Sequence, residues 1–270
     1  MTKADLHIHT SVSDGSNTVD EVLELAQKQG ITHVAFADHD TTELSTEHVK
    51  LAAKYGIYAI PAVEMSAFHK KSGKKVHILG YAYKDKAPIE KIGSLTLEKR
   101  NDNCLKQISI LQNLGYKIEL NELNKIANGC IYKQHILDYL VKTRQSNEIF
   151  GEIYKNIFKN NGPCDFDIEY PEAADAVEAI CKAGGKAVLA HPGQQNNFEI
   201  IPELVEAGLA GIERNHPANT LQAREMIDKY CKEYKLFYTG GSDYHGRYEK
   251  GVNIPGSENI TDIEQLGFKF

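Results

Sequence analysis

The chain has 270 residues, 41% hydrophobic and 25% charged, with a formal charge of -6. That length buries one large core, alone or with a small second lobe. The acidic balance excludes a general basic surface for gripping long nucleic acid or an anionic membrane, so any affinity for phosphate has to be local.

The N-terminal MTKADLHIHT has no apolar run behind a basic start, and no later stretch is apolar for the length of a bilayer crossing. No membrane association and a cytoplasmic location are expected. The five cysteines (Cys104, Cys130, Cys164, Cys181, Cys231) are scattered without a CxxC pair, which reads as reduced structural thiols.

ADLHIH alternates like a strand, and TVDEVLELAQKQG follows with helical periodicity, a Thr18 to Glu21 capping box and Gly30 as its stop. HVAFAD is a second strand and STEHVKLAAKYG a second helix. IYAIPAVE is the third strand, ending at Glu64, and KKVHILGYAY a fourth extended segment after the Ser72-Gly73 turn. From about Pro88 to Pro163 the rhythm changes, because four successive stretches all read as helices. The alternation resumes with KAVLAH, LAGIER and LFYTGG as strands separated by helical segments. The pattern predicts an α/β fold with a largely parallel sheet, split as residues 1–87 and 164–270, with a helical lobe over 88–163 inserted between them.

His7 and His9 are two apart on a predicted strand, so the pleat points both imidazoles to one face. Alone the pair is weak evidence for a ligand set. Other imidazoles and carboxylates recur near strand ends: Asp14 and His39, Glu64 and His77, His191, then Asp243 and His245. In a parallel barrel the strand ends converge on one rim, where such residues form a multi-ligand cluster. Asp5, Asp38 and Asp40 flank the ligands and are read either as orienting them or as capping strand ends. Glu213, Arg214 and His216 follow another strand and can face the same rim. His33, His48 and His69 fall in no motif, and Tyr81, Tyr83, Tyr132 and Tyr244 are assigned no role in the site.

DLHIHT, the Asp14 loop, ADHD, Glu64, AHPG and GSDYH together resemble the motif series of the PHP (polymerase and histidinol phosphatase) superfamily, across both halves of the chain. The resemblance implies a distorted (β/α)7 TIM-like barrel with two to three divalent ions at its rim. His7, His9, Glu64 and Asp243 would hold one ion, Glu64, His77 and His191 a second, and Asp14, His39 and His245 a third. Nitrogen and oxygen ligands without thiolate suit Mn, Fe or Zn. The helical insertion resembles that of the subgroup acting on nucleoside 3',5'-bisphosphates and short RNA 5' ends. By that resemblance Arg100, Lys133 and His135 would contact substrate, and His216 would bind phosphate or donate a proton. IYKQH departs from the subgroup's GRPH-like motif, with Lys133 in place of arginine and Gln134 in place of proline, so a bidentate phosphate contact becomes a point charge.

Closely spaced divalent ions activate water near neutral pH and stabilise both oxygens of an in-line displacement at phosphorus. The expected activity is therefore metal-dependent hydrolysis of a small phosphorylated substrate, a nucleotide phosphomonoester, with no protein partner required. Histidinol-phosphate phosphatase, an amidohydrolase and a non-catalytic metal-stabilised module are the competing readings.

Overall fold

The computed structural model describes residues 2–268 apart from 128, 250 and 252. Strands β1 (Ala4–Ile8), β2 (His33–Phe36) and β3 (Tyr58–Ala59) form a parallel three-stranded sheet. A second sheet has the order β4 (Ala62–His69), β5 (Lys74–Tyr81), β6 (Lys186–Leu189), β7 (Gly211–Asn215), β8 (Phe237–Gly240). In it β4, β5 and β6 are antiparallel neighbours, while β6, β7 and β8 are parallel.

Among the described residues this is a mixed α/β fold without a continuously hydrogen-bonded barrel; four of the six strand pairings are parallel, as the alternation implied, and the departure is β5, antiparallel to both of its neighbours. Two local causes are visible. Pro61 has no N–H to give to a ladder, so the predicted third strand divides around it into β3 and β4, which enter different sheets. The short Lys70–Gly73 connection folds β5 back beside β4 as a hairpin, and a parallel neighbour would need a long crossover. Single bridges join the two sheets at their seams, Ile8 with Tyr244 and His39 with Glu64. Leu6, Ala35, Ala62, Leu79, Tyr81 and Val188 meet in one apolar cluster drawn from both sheets.

Helix α1 (Val19–Lys28) has the predicted cap: Glu21 N–H donates to Thr18 Oγ1 at 3.3 Å, and Thr18 N–H to Glu21 Oε2 at 2.8 Å. With α2 (Ser45–Lys54) it packs on the first sheet through Val22, Leu23, Ala26 and Ala52 against Ile8, Val34 and Phe36. The second sheet is covered by α7 (Ala173–Lys182), α9 (Ile201–Glu206) and α10 (Leu221–Tyr234), while the short α8 (Pro192–Gln195) follows β6.

Between β5 and α7 run α3 (Ala87–Asn113), α4 (Leu120–Ala127), α5 (Lys133–Lys142) and α6 (Glu152–Ile157). They share an apolar cluster including Ile108, Leu111, Leu123, Ile136, Leu140 and Phe158. The fourth predicted helical stretch is realised only as the six residues of α6. α3 is continuous for 27 residues. Ile89 and Ile92 near its start pack in the sheet core, while Cys104, Ile108 and Leu111 near its end belong to the helical cluster. The expected boundary at residue 88 thus falls inside a helix shared by both bodies. No helix among the described residues is long and apolar enough to cross a membrane.

Candidate metal centre

β1 and the residue after it turn the His7 and His9 rings to one side, while Ile8 packs on the other with α1. His7 Nε2 lies 3.1 Å from His9 Nε2, so two ring nitrogens face each other. Glu64, near the start of β4, is buried among five imidazoles. Its Oε2 is 3.4 Å from His7 Nε2, 3.3 Å from His9 Nε2 and 3.3 Å from His39 Nε2. Its Oε1 is 3.0 Å from both His77 Nδ1 and His191 Nε2. Asp243 Oδ1 closes the first group at 3.3 Å from His7 and 3.2 Å from His9. Asp14, on the loop after β1, has Oδ1 3.4 Å from His245 Nε2 and 3.6 Å from His9 Nδ1, and Oδ2 3.9 Å from His39 Nε2.

All nine residues singled out as ligands from sequence are therefore brought together. Among these nine, three groups have converging ligand atoms: His7, His9, Glu64 and Asp243; His9, Asp14, His39 and His245; and His39, Glu64 and His77. His191 is in none of them, while a fourth group, His69, Glu172 and Glu203, involves none of the nine. His9 joins the second group and His39 the third, which the resemblance did not imply. The strand-end picture also needs correction, since Glu64 lies near the beginning of β4 and His77 on the antiparallel β5.

Several contacts here suit a cation better than hydrogen bonding. His9 Nδ1, His191 Nδ1 and Asp243 Oδ1 are buried without a hydrogen-bond partner, although oppositely charged groups stand close. Burial alone would raise the carboxyl pKa values of Asp14, Glu64 and Asp243, but the surrounding imidazoles hold all three well below the usual range. Burial lowers His7 and His9, yet acids outweigh it: Glu213, then Asp243 and Glu64, take His7 well above its ordinary value, and Asp243, Glu64 and Asp14 take His9 to about 10. Burial wins at His39, pushed down to about 3. Such a concentration of ionised acids calls for positive charge. Divalent cations supply it without protonating the ring nitrogens that would bind them.

The supporting carboxylates divide the work differently from the sequence reading. Glu213 on β7 accepts from His7 Nδ1 at 2.9 Å and from His191 N–H at 3.0 Å, so it orients two candidate ligands. Its neighbour Arg214 points outward to Asp228, as strand alternation requires. Asp5 touches no imidazole; it accepts from Ser242 N–H (2.9 Å), Ser242 Oγ (2.7 Å) and Gly256 N–H (2.6 Å), and burial raises its pKa to about 6. It fastens the loop that carries Asp243. Asp38 does the same for the Asp14 loop through Thr10 and Ser13. Asp40, His191 and Asp243 have φ of 58°, 26° and 53°, a left-handed conformation non-glycine residues rarely hold, here kept by bonds such as Asp243 N–H to His7 O at 2.8 Å.

Two cavities flank the cluster. One, of about 430 Å³, runs under α3 and α5 and is lined by Lys75, Arg100, Lys133, Lys159, Tyr132 and Tyr170 as well as by His39 and His77. The other, of about 450 Å³, is lined by His191, His216, Pro217, Asp243, His245 and Asn253. Gln134 and Gln194 belong to both. Arg100 is held by Asp40 Oδ2 and Ser66 Oγ, each at 2.8 Å, with Tyr132 and Tyr170 rings beside it. Lys133 reaches over the Phe158 ring, and burial lowers its pKa.

His216 Nε2 is 3.1 Å from Asp243 Oδ2, and its Nδ1 accepts from Ala218 N–H, which puts the neutral ring's proton on Nε2. His135 differs from expectation: it lies behind the cavity wall, between the Tyr132 and Tyr248 rings, with Nδ1 accepting Tyr132 N–H at 3.2 Å. Its place three residues after the helix N-cap makes it part of the start of α5. Sequence reasoning missed Gln194, Lys75 and Tyr170 on the cavity wall, none of which lies in a recognised motif, and saw Gln134 only as a departure from one. His33, His48 and His69 stand outside the cluster.

Residues 5–190 match the PHP domain family. A phosphoribosyl 1,2-cyclic phosphate 1,2-diphosphodiesterase from Eggerthella lenta is 40% identical over 258 residues, covering 93% of this chain and 98% of its own. A 5'-3' exoribonuclease from Haemophilus influenzae is 29% identical, with 97% of each chain covered. A solved structure from Bifidobacterium adolescentis, described as a metal-dependent phosphoesterase, superposes with a TM-score of 0.87 at 26% identity, covering 98% of this chain and 94% of that one. Matched by that family over most of its length and 40% identical to one relative, the chain belongs to the PHP domain family.

Proposed function

We propose that this chain is a metal-dependent phosphoesterase acting on a small ribosyl substrate that carries a second phosphate away from the bond cleaved. The single observation that supports this best is Glu64, whose two buried oxygens face five imidazoles, an arrangement suited to bridging cations. His7, His9, Glu64 and Asp243 would hold one divalent ion, Glu64, His77 and His191 a second, and Asp14, His39 and His245, joined by His9, a third. Bound there, such ions would activate water and offset charge on both oxygens of an in-line displacement.

The chain's own residues do the rest. Glu213 keeps the His7 proton on Nδ1, leaving Nε2 free to bind. His216, whose Nδ1 accepts from Ala218 N–H, keeps its proton at Nε2 and donates it as a hydrogen bond to Asp243 Oδ2, which orients that carboxylate toward the ion it would hold. Lys75, Lys133 and Lys159 face the first cavity together with Asp167, which pairs with Lys75, and a second phosphate there would meet the positive charge that remains. The segment over 88–163 acts as the wall of that cavity. The Eggerthella relative's name joins a phosphoribosyl group to a cyclic phosphate, which extends the expected phosphomonoester to cyclic diesters.

Product formation by metal-replete protein, resolved chromatographically together with inorganic phosphate, tests the reading. The panel is a nucleoside 3',5'-bisphosphate, a phosphoribosyl cyclic phosphate, a mononucleotide, 5'-phosphorylated short RNA, histidinol phosphate and a chromogenic phosphate ester. The doubly phosphorylated ribosyl compounds are expected to exceed the chromogenic ester in kcat/KM by about 100-fold, the worth of one charge-assisted contact or more. Fastest turnover of histidinol phosphate would reassign the substrate, and no turnover with Mn, Fe or Zn would leave a binding module. Lys133→Ala is expected to raise KM about tenfold for the doubly phosphorylated substrates while leaving the chromogenic ester unaffected. Equal effects on both would remove Lys133 from the second phosphate.

A further inference from the structure

The geometry points to Gln134 as a positioning residue that ties the helical segment to Asp14 and so sets the affinity of one ion, an inference that rests on the metal-centre reading above. Gln134 lies in the first turn of α5, and its Nε2 donates to Asp14 Oδ2 at 3.0 Å. Asp14 sits on a loop, and rotation about an aspartate χ2 is soft, so its carboxylate plane needs an outside restraint. Oδ1 already faces His9 and His245; the bond to Oδ2 fixes the other oxygen, which faces His39.

A second tether supports the same coupling. Tyr132, the N-cap of α5, donates its hydroxyl to His39 O at 3.2 Å. The start of α5 therefore holds two residues of one ligand group, Asp14 and His39. The same turn carries Lys133 on the wall of the basic cavity. An ion at this group and an anion in that cavity would accordingly stabilise one placement of α5, and by linkage each would strengthen the other. Because an ionised carboxylate only accepts, the Gln134 amide nitrogen must face Asp14, and nothing among the described residues donates to its Oε1.

A double-mutant cycle read by metal binding tests this without turnover. The full chain is stripped with chelator and titrated calorimetrically with Mn²⁺, as wild type, Gln134→Met, Asp14→Asn and the double variant. Gln134→Met keeps the side chain's length and removes the donor. It is expected to weaken one class of Mn²⁺ site about 10–100-fold, the usual cost of losing an outer partner of a ligand. In the Asp14→Asn background the same change should add less than about twofold. Wild-type Mn²⁺ binding by Gln134→Met, or an equal loss in both backgrounds, would overturn the proposal. If the wild-type chain binds Mn²⁺ but hydrolyses no phosphate ester of the panel, the phosphoesterase reading fails while the cycle still decides the role of Gln134. If the wild type binds no Mn²⁺, the metal centre and Gln134 fall together.

Discussion

Glu64→Gln is expected to lose bound metal and to lower phosphate release by on the order of 10³-fold or more, with the fold intact. The substitution is nearly isosteric, but an amide carries no charge and offers one oxygen where the carboxylate offers two. Both oxygens are committed: Oε2 stands 3.3–3.4 Å from His7, His9 and His39, and Oε1 3.0 Å from His77 and His191. Whichever way the amide turns, its NH2 meets ring nitrogens that a cation would otherwise occupy. The backbone bonds from Asp40 N–H to Glu64 O (2.9 Å) and from Glu64 N–H to Asp38 O (3.3 Å) do not involve the side chain, so the seam between the sheets survives. Metal analysis, phosphate release and a circular dichroism melt measure the three parts separately. His33→Ala is the control: its ring stacks on Tyr58 outside the cluster, and metal and rate should both stay at wild-type levels. A Glu64→Gln protein with full activity would remove Glu64 from the site.

Gly241→Ala should give the second large effect, this time on stability and metal together. A Cβ built at Gly241 would stand 2.4 Å from both Cβ and N of His7. These atoms belong to or adjoin the backbone of β1 and cannot swing away as the end of a long side chain can. Either β1 moves, taking His7 out of reach of Asp243 and Glu213, or the turn after β8 moves, taking Asp243 with it. Overpacking typically costs 1–3 kcal/mol, and backbone contact belongs at the upper end, so about 3 kcal/mol and a fall in Tm of about 6–12 °C are expected. Gly30→Ala is the comparison. Its φ of +68° disfavours alanine by ~1–2 kcal/mol, but nothing lies within 4 Å of the added methyl, so metal content should not change. Similar metal loss in both variants would show that the cluster responds to stability alone.

What could be read ahead of the structure follows how local the cause is. The Thr18–Glu21 box and the shared face of His7 and His9 depend on spacing within a few residues, and both appear as expected. The assembly of nine distant ligand residues needed the motif series; no single HxH or DxH would have sufficed. Sheet direction was less accessible, because it turned on how one proline and one short turn reroute the chain, and periodicity does not record which neighbour a strand chooses. Glu213 was seen at the rim, but its partners His7 and His191 are brought to it by tertiary packing. His135 shows the converse: a histidine three residues after an N-cap can serve the helix start, and that use competes with a place on the cavity wall.

The continuous run of α3 bears on how ligands come and go. Its 27 residues form a strut of about 40 Å, anchored at one end among the strands and at the other among the helices. Swinging one body away from the other would require bending that strut and breaking backbone hydrogen bonds along it. The mouth above the lysines is therefore a standing entrance. On the proposed function, substrate and product are expected to exchange there without a hinge opening.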